Sequence, residues 1–361
     1  MELLTDPAGG RLEGHLREVP LVDHHVHGWF SEPGDRAAFE AALNEGSPGP
    51  VTSGFDLPVG VAVRRWCAPL LGLPALASAD DYWEARSATP YEEVVRSFLD
   101  AAGVSHWVVD TGLTPDLVTE PTPRSEVVRL ELLMEQALAT DDPLAVFRAR
   151  LDAVVDDPTV VGAKSIAAYR CGLDIDWGRP DDTTAARHAH ASGPRLVDPV
   201  LVAFGVHEAA ARGLPLQVHT GFGDRDLDLR RADPLHLLPL LRAVESPVLL
   251  LHCYPYHRHA GYLAQAFEHV FLDVGLAVSH LGARSSALVA EAMELAPFGK
   301  LLYSSDAYGL PELHYLGAVL WRRAMTEVLG AFVGRGDWSE DDALRVVDLV
   351  SSQNARRVYR L

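Results

Sequence analysis

Basic charge is scarce in this 361-residue chain: 31 Lys and Arg stand against 50 Asp and Glu, a formal net charge of −19. A nucleic-acid binder carries a basic stripe; none is found, so nucleic acid is excluded as a partner. The acidity favours solubility and disfavours polyanions. It leaves room for a small anionic substrate, because local arginines set the field of a pocket. Cysteine is also scarce. Cys67, Cys171 and Cys253 are odd in number and widely spaced, which excludes a disulfide framework and fits a reducing compartment. Cys253, although beside a candidate site residue, reads as a small core residue. Long apolar runs are missing: no stretch reaches the ~20 residues of a membrane span, and Met1–Pro20 has no apolar core of signal type. A cytoplasmic protein without membrane contact is expected. There is no short-period repeat, no low-complexity tract, no Gly-rich phosphate loop and no Gly-x-Ser-x-Gly elbow.

What is present is a core and an alternation. Apolar residues make up 48% of the chain and charged residues 22%, enough to bury a large interior. Short β-rich runs are followed by longer helical patterns, as in βα units around a parallel sheet. The runs are Val19–His27, Ser105–Asp110, Glu126–Leu132, Val160–Ile166, Leu216–His219, Val248–His252, His269–Val274 and Leu301–Asp306. Eight such runs predict an α/β chain folded as a (β/α)8 TIM barrel in one domain. Residues 28–104 far exceed one βα connection. With helical patterns at Arg36–Leu43, Val61–Leu71 and Tyr91–Ala102, they predict a mostly helical insertion after the first strand that caps the site. Ser339 and Asp342 fit the start of a terminal helix.

Such barrels carry their chemistry at the C-terminal ends of strands, and polar residues fall there. His25 and His27 share one face of a strand by its period of two, and two imidazoles at that spacing suit one zinc-like ion. His24 faces the other way, toward the helical layer, with a structural part. His219 ends the fifth run and completes a three-histidine set. His252 ends the sixth, as a second-metal ligand or a donor to the substrate oxygen. Asp306 ends the eighth, where a carboxylate can take a proton from water and pass it to a leaving group. It also counts as a metal ligand. Lys164 ends the fourth; burial there is costly without a task. It could be carboxylated and bridge two metals, or stay an ammonium that holds a substrate carboxylate. His257 and His259 read as a solvated loop. Tyr169, Arg170, Arg225 and Arg258, with Asp224 and Tyr308, are candidates to line the mouth, since arginine captures carboxylates bidentately. Zinc is the default ion, one or two per chain, with manganese or iron also fitting.

The Asp-x-His-x-His of DHHVH, the His of QVHTG, the His of LLHCYP and the Asp of YSSDA occur in the order of the amidohydrolase superfamily. The closing NARRVYRL resembles that superfamily's second large branch, which holds metal-dependent hydrolases and decarboxylases. GAKSIAAYRCGLDI, HTGFGDRDLDL and LHCYPYHRHAGYLA resemble the amidohydrolase domain fused to glutamine-synthetase-like domains in FluG and nodulin-type proteins. The resemblance runs from about residue 19 to the end, insertion excepted, without a synthetase-like part. It implies ligand roles for His25, His27 and His219, an acid/base role for Asp306, and attack on a C–N bond, such as that of a γ-glutamyl amide. Non-oxidative decarboxylation is the alternative, with Trp29, Phe30 and Trp66 as an aromatic slot. A non-catalytic metabolite-binding barrel would lack a ligand, and none is missing. The expected partner is a small-molecule substrate, and a homo-oligomer is compatible with the sequence.

Overall fold

The computed structural model describes residues 10–46, 52–114 and 117–361. Residues 1–9 of the Met1–Pro20 stretch and 47–51 of the expected insertion lie outside the described residues.

Seven parallel strands form one sheet in chain order: β1 (Leu21–Val26), β2 (Val104–Asp110), β3 (Arg124–Arg129), β4 (Val160–Ser165), β5 (Leu216–Thr220), β6 (Val248–His252) and β7 (Val270–Leu272). β1, β5, β6 and β7 are buried along their whole length, as parallel strands covered on both faces must be. The eighth run closes the ring without forming a ladder. Leu301 bridges Leu272, and the Leu302 N–H donates to the Leu272 carbonyl at 3.0 Å. Toward β1, His24 N–H donates to Tyr303 O (3.2 Å), Asp306 N–H to His25 O (3.1 Å) and His27 N–H to Ala307 O (2.9 Å). Two features keep this segment from being a regular strand: Asp306 sits at φ 49°, and the buried Asp23 carboxylate takes the Ser305 N–H at 3.0 Å. The architecture is a TIM barrel whose eighth stave is irregular where its catalytic candidate sits.

Val22, Val108, Val127, Leu249, Phe271 and Leu302 cluster together. Residues from strands around a ring can meet only inside it, so this cluster is the barrel floor. Tyr359 and Val358 of the last helix complete it from below. Asn354 docks that helix by donating to the carbonyls of Phe298 (2.8 Å) and Leu301 (2.7 Å).

Asp-Pro pairs set the outer helices. Asp142 and Asp198 accept N–H groups of the first turns of Pro143–Asp156 and Pro199–Ala211, a carboxylate cap followed by a residue pre-set for helix. Ser339 accepts the Asp342 N–H at 3.1 Å and starts Glu340–Asp348 as expected.

Between β1 and β2 the described chain is mostly helical: Arg36–Ala42, Pro58–Trp66, Ala79–Ala88 and Tyr91–Ala102, with short 3-10 turns. A two-stranded ribbon, Trp29–Phe30 with Leu117–Val118, stands at its base. Its aromatic core joins Phe39, Phe55 and Tyr82, with ring centroids 5.6 to 6.0 Å apart. Arg86, itself buried, reaches Glu312 of the long helix Pro311–Gly334 at 2.5 Å.

Three expectations change. His24 faces the barrel interior, 3.0 Å from Asp273 and 3.2 Å from Tyr359; the register shift between Asp23 and Val26 breaks strict alternation. His257 and His259 open the helix His257–Ala266, paired with Glu291 (2.8 Å) and Asp233 (3.0 Å). The third strand starts two residues and ends three residues earlier than expected, its end set by the helix that begins at Leu130.

Candidate metal centre

His25, His27, Lys164, His219, His252 and Asp306 converge at the C-terminal mouth of the barrel. His25 Nε2 lies 3.1 Å from Asp306 Oδ1, and His27 Nε2 3.5 Å from the same oxygen. His252 Nδ1 lies 3.2 Å from Asp306 Oδ2. Lys164 Nζ is 2.8 Å from His25 Nε2 and 3.8 Å from Asp110. His219 stacks at the edge of the group, its ring centroid 4.5 Å from that of His252 and 4.6 Å from that of Tyr169.

Backbone sets these directions. His252 and Asp306 adopt φ 67° and 49°, the left-handed region that non-glycine residues enter at a cost of about 1–3 kcal/mol. Asp273 holds the first of these turns: its Oδ1 accepts the N–H of His252 (3.2 Å) and Gly275 (2.8 Å) and the Ser304 hydroxyl (2.9 Å). His27 Nδ1–H donates to the Asp110 carbonyl at 3.0 Å, which leaves Nε2 as the free lone pair, the second-sphere arrangement of metal-binding histidines. Gly223 presses the loop after β5 onto the site. A Cβ there would lie 2.0 Å from Tyr169 Oη and 3.2 Å from His219 Nε2.

The donor set fits a divalent metal. His219 Nε2, His252 Nδ1 and Asp306 Oδ1 are buried with no hydrogen-bond partner among the described residues, a costly state unless something else meets them. Burial, with Lys164 beside them, pushes His25 and His219 well below the usual imidazole range. Burial, with His219 and Lys164 close by, does the same to His252. Burial lowers His27 to about 4. Neutral imidazoles are the ligand form. Burial pushes the Asp306 carboxyl well up, against the pull of Lys164. Burial also pushes Asp110 up, but Arg129, His27 and Lys164 bring it down to about 2, so an anion stands behind the lysine. Among the described residues, two trios have ligand atoms within 4.8 Å of one another: His25–His252–Asp306 and His25–His27–Asp110. Neither contains His219, which the sequence grouped with His25 and His27.

Above this floor opens a cavity of about 720 Å3. Tyr169, Arg170, Asp224 and Tyr308 line it; Arg225 and Arg258 do not. Arg225 is three-quarters exposed beside Asp226, and Arg258 is drawn to Glu291 and Glu294 on the outer surface. Of the aromatic slot, Phe30 lines the cavity, but Trp66 is buried in the insertion. Sequence reasoning missed Asp110, Asp273, Arg129, Glu45 and Arg195. Asp110 ends its run and Asp273 stands one residue before the end of its own, which is the available signal; Glu45 and Arg195 carry none.

A parallel barrel with imidazoles and a carboxylate gathered at this mouth defines a metal-dependent barrel enzyme. A family model described as Amidohydrolase (Amidohydro_2) matches residues 132–361, and the chain belongs to that family. It is 28% identical over 413 aligned positions to Protein fluG of Emericella nidulans, across 96% of this chain and 46% of that protein. The chain thus spans less than half of that curated relative. A provisionally assigned metal-dependent hydrolase from Lactobacillus casei ATCC 334 superposes with TM-score 0.84 at 25% identity over 97% of each chain. A uronate isomerase from Bacillus halodurans C-125 shares the fold, with TM-score 0.66 at 14% identity over 97% of this chain and 95% of that one.

Proposed function

We propose that this amidohydrolase cleaves a C–N, amide-type bond of a small carboxylate-bearing substrate such as a γ-glutamyl amide. The observation that carries the reading is the set of buried ligand atoms, His219 Nε2, His252 Nδ1 and Asp306 Oδ1, that have no hydrogen bond among the described residues at the mouth of the barrel. His25, His27 and His219 would hold the ion, with Asp306 beside them and zinc as first choice. A divalent ion there supplies Lewis acidity, polarising a carbonyl and acidifying a water.

The chain's own groups do the rest. Asp306 takes the proton of the attacking water and delivers it to the departing amine. His252 donates to the developing oxyanion. Lys164 sits between His25 and Asp110. As a carbamate it would join a second ion; as an ammonium it would hold a substrate carboxylate. Residues 28–104 act as the cap, bringing Phe30 and Glu45 to the cavity wall.

Metal-loaded protein assayed against γ-glutamyl amides and N-acyl amino acids should release amine. Asp306→Asn should lose that activity by at least about 100-fold, the scale of general acid–base catalysis, while retaining metal. Full activity in that variant would remove Asp306 from the chemistry. Release of CO2 without amine would replace hydrolysis by decarboxylation.

A further inference from the structure

Groups of both signs wall the cavity above the centre. Its arginines and lysine are Arg129, Lys164, Arg170 and Arg195. Arg129 is held by Asp110 at 2.8 Å, Lys164 by His25 at 2.8 Å, and Arg170 by Glu135 at 3.0 Å. Arg195 lines the same cavity with neither a hydrogen bond nor an ion pair among the described residues. It is exposed at the rim, between the helices Asp182–Ala191 and Pro199–Ala211. Its backbone is anchored: the next residue, Leu196, is buried and donates its N–H to Glu135 Oε1 at 2.9 Å, the oxygen that Arg170 also reaches. A guanidinium on a fixed segment, turned to a cavity and lacking a partner, suits a carboxylate.

Besides Asp306 at the floor, three acids share the wall: Glu45, Asp224 and Asp226. Asp224 is partly engaged, accepting the Asp226 N–H at 2.8 Å. Glu45 comes from the insertion, lies 3.6 Å from His280, and its field reaches Asp306 and Tyr169. A wholly anionic ligand would meet these carboxylates. A wholly cationic one would leave Arg195 unanswered. A ligand with one charge of each sign satisfies both.

We propose that the cavity recognises a zwitterionic α-amino-acid head group, with Arg195 holding its carboxylate and Glu45 facing its ammonium. The proposal rests on the hydrolase reading for the position of the scissile amide at the metal floor, and it narrows the substrate class. A γ-glutamyl amide keeps its α-ammonium free, whereas an N-acyl amino acid does not. A cavity of about 720 Å3 has room for a head group and a distal amide together.

The test is calorimetric binding to the metal-loaded full chain, with glutamate, glutarate (no ammonium) and 4-aminobutyrate (no α-carboxylate) as probes. Glutamate should bind about 10- to 100-fold tighter than either, the range of one charge-assisted contact. Arg195→Ala should bring glutamate down to the level of 4-aminobutyrate, and Arg195→Lys should recover part of the loss. Glu45→Gln should bring glutamate down to glutarate. Metal content should stay at the wild-type level in all three variants, which checks their folding. Glutarate binding as well as glutamate, no glutamate binding, or an unchanged Arg195→Ala would overturn the proposal. The two readings fail separately. Binding selectivity without amine release from any amide sinks the hydrolase reading alone. Equal amine release from a γ-glutamyl amide and its N-acetylated form sinks the zwitterion alone.

Discussion

Replacing Glu312 by leucine should cost about 3–5 kcal/mol, the penalty for stranding one member of a buried ion pair. Glu312 is fully buried and Arg86 2% exposed. The Arg86 Nε to Glu312 Oε1 distance is 2.5 Å, and the Tyr82 hydroxyl adds a longer contact at 3.4 Å. Without the carboxylate, the guanidinium keeps the Pro33 carbonyl at 3.4 Å and the face of Phe39 at 4.7 Å. Both contacts exist already, so they offset nothing. At about 1.4 kcal/mol per tenfold, the unfolding equilibrium shifts by two to four orders of magnitude. The damage should begin in the insertion, because this pair ties the helix Ala79–Ala88 to Pro311–Gly334. Urea denaturation followed by tryptophan fluorescence measures the total. Hydrogen exchange over residues 79–88 measures the local part. Arg86→Met combined with Glu312→Leu should recover most of the loss, since an apolar pair of similar volume costs no desolvation. A single variant within 1 kcal/mol of wild type, or a double variant as unstable as the two singles summed, would refute this account of what fastens the insertion.

Gly223→Ala should lower turnover at least about tenfold with an unchanged circular dichroism spectrum. The added methyl falls 2.0 Å from Tyr169 Oη and 3.2 Å from His219 Nε2, and misplacement by about 1 Å near the chemistry is enough for such losses. Chelation should abolish activity and a divalent ion should restore it. Elemental analysis giving one equivalent would make Lys164 an ammonium, and two would make it a bridging carbamate. His314 is buried between the carbonyls of Leu310 and His27, and burial lowers it from 6.5 to about 4. The unfolded chain therefore binds a proton below about pH 6.5 that the folded chain refuses until about pH 4, so stability falls as pH drops through that window. The gap is worth about 3 kcal/mol. His314→Gln should show a shallower acid decline over the same window, whatever its stability at pH 7. Identical slopes would mean that His314 titrates normally.

The barrel was legible because its strands are apolar runs that end in polar residues, and fully buried parallel strands leave that pattern. The rule that singled out His219 and His252 applies equally to Asp110, which ends WVVD, and to Asp273, which ends FLD. Both lie at the centre: Asp110 faces Lys164 at 3.8 Å, and Asp273 fixes the left-handed turn at His252. An aspartate after a strand is also an ordinary loop residue. Only the meeting of strands distant in the chain separates the two cases. His24 failed for a related reason. Alternation assumes a regular ladder, and β1 is irregular where it meets the eighth stave, since Asp23 is spent on the Ser305 backbone and hydroxyl. Arg195 and Glu45 lie beyond any pattern of period two or 3.6, because loops carry no register. Their place follows from where Glu135 and the insertion hold the backbone. The strand-borne half of such a site can be read from periodicity and strand ends. The half that selects the substrate sits on connections, and only packing fixes those.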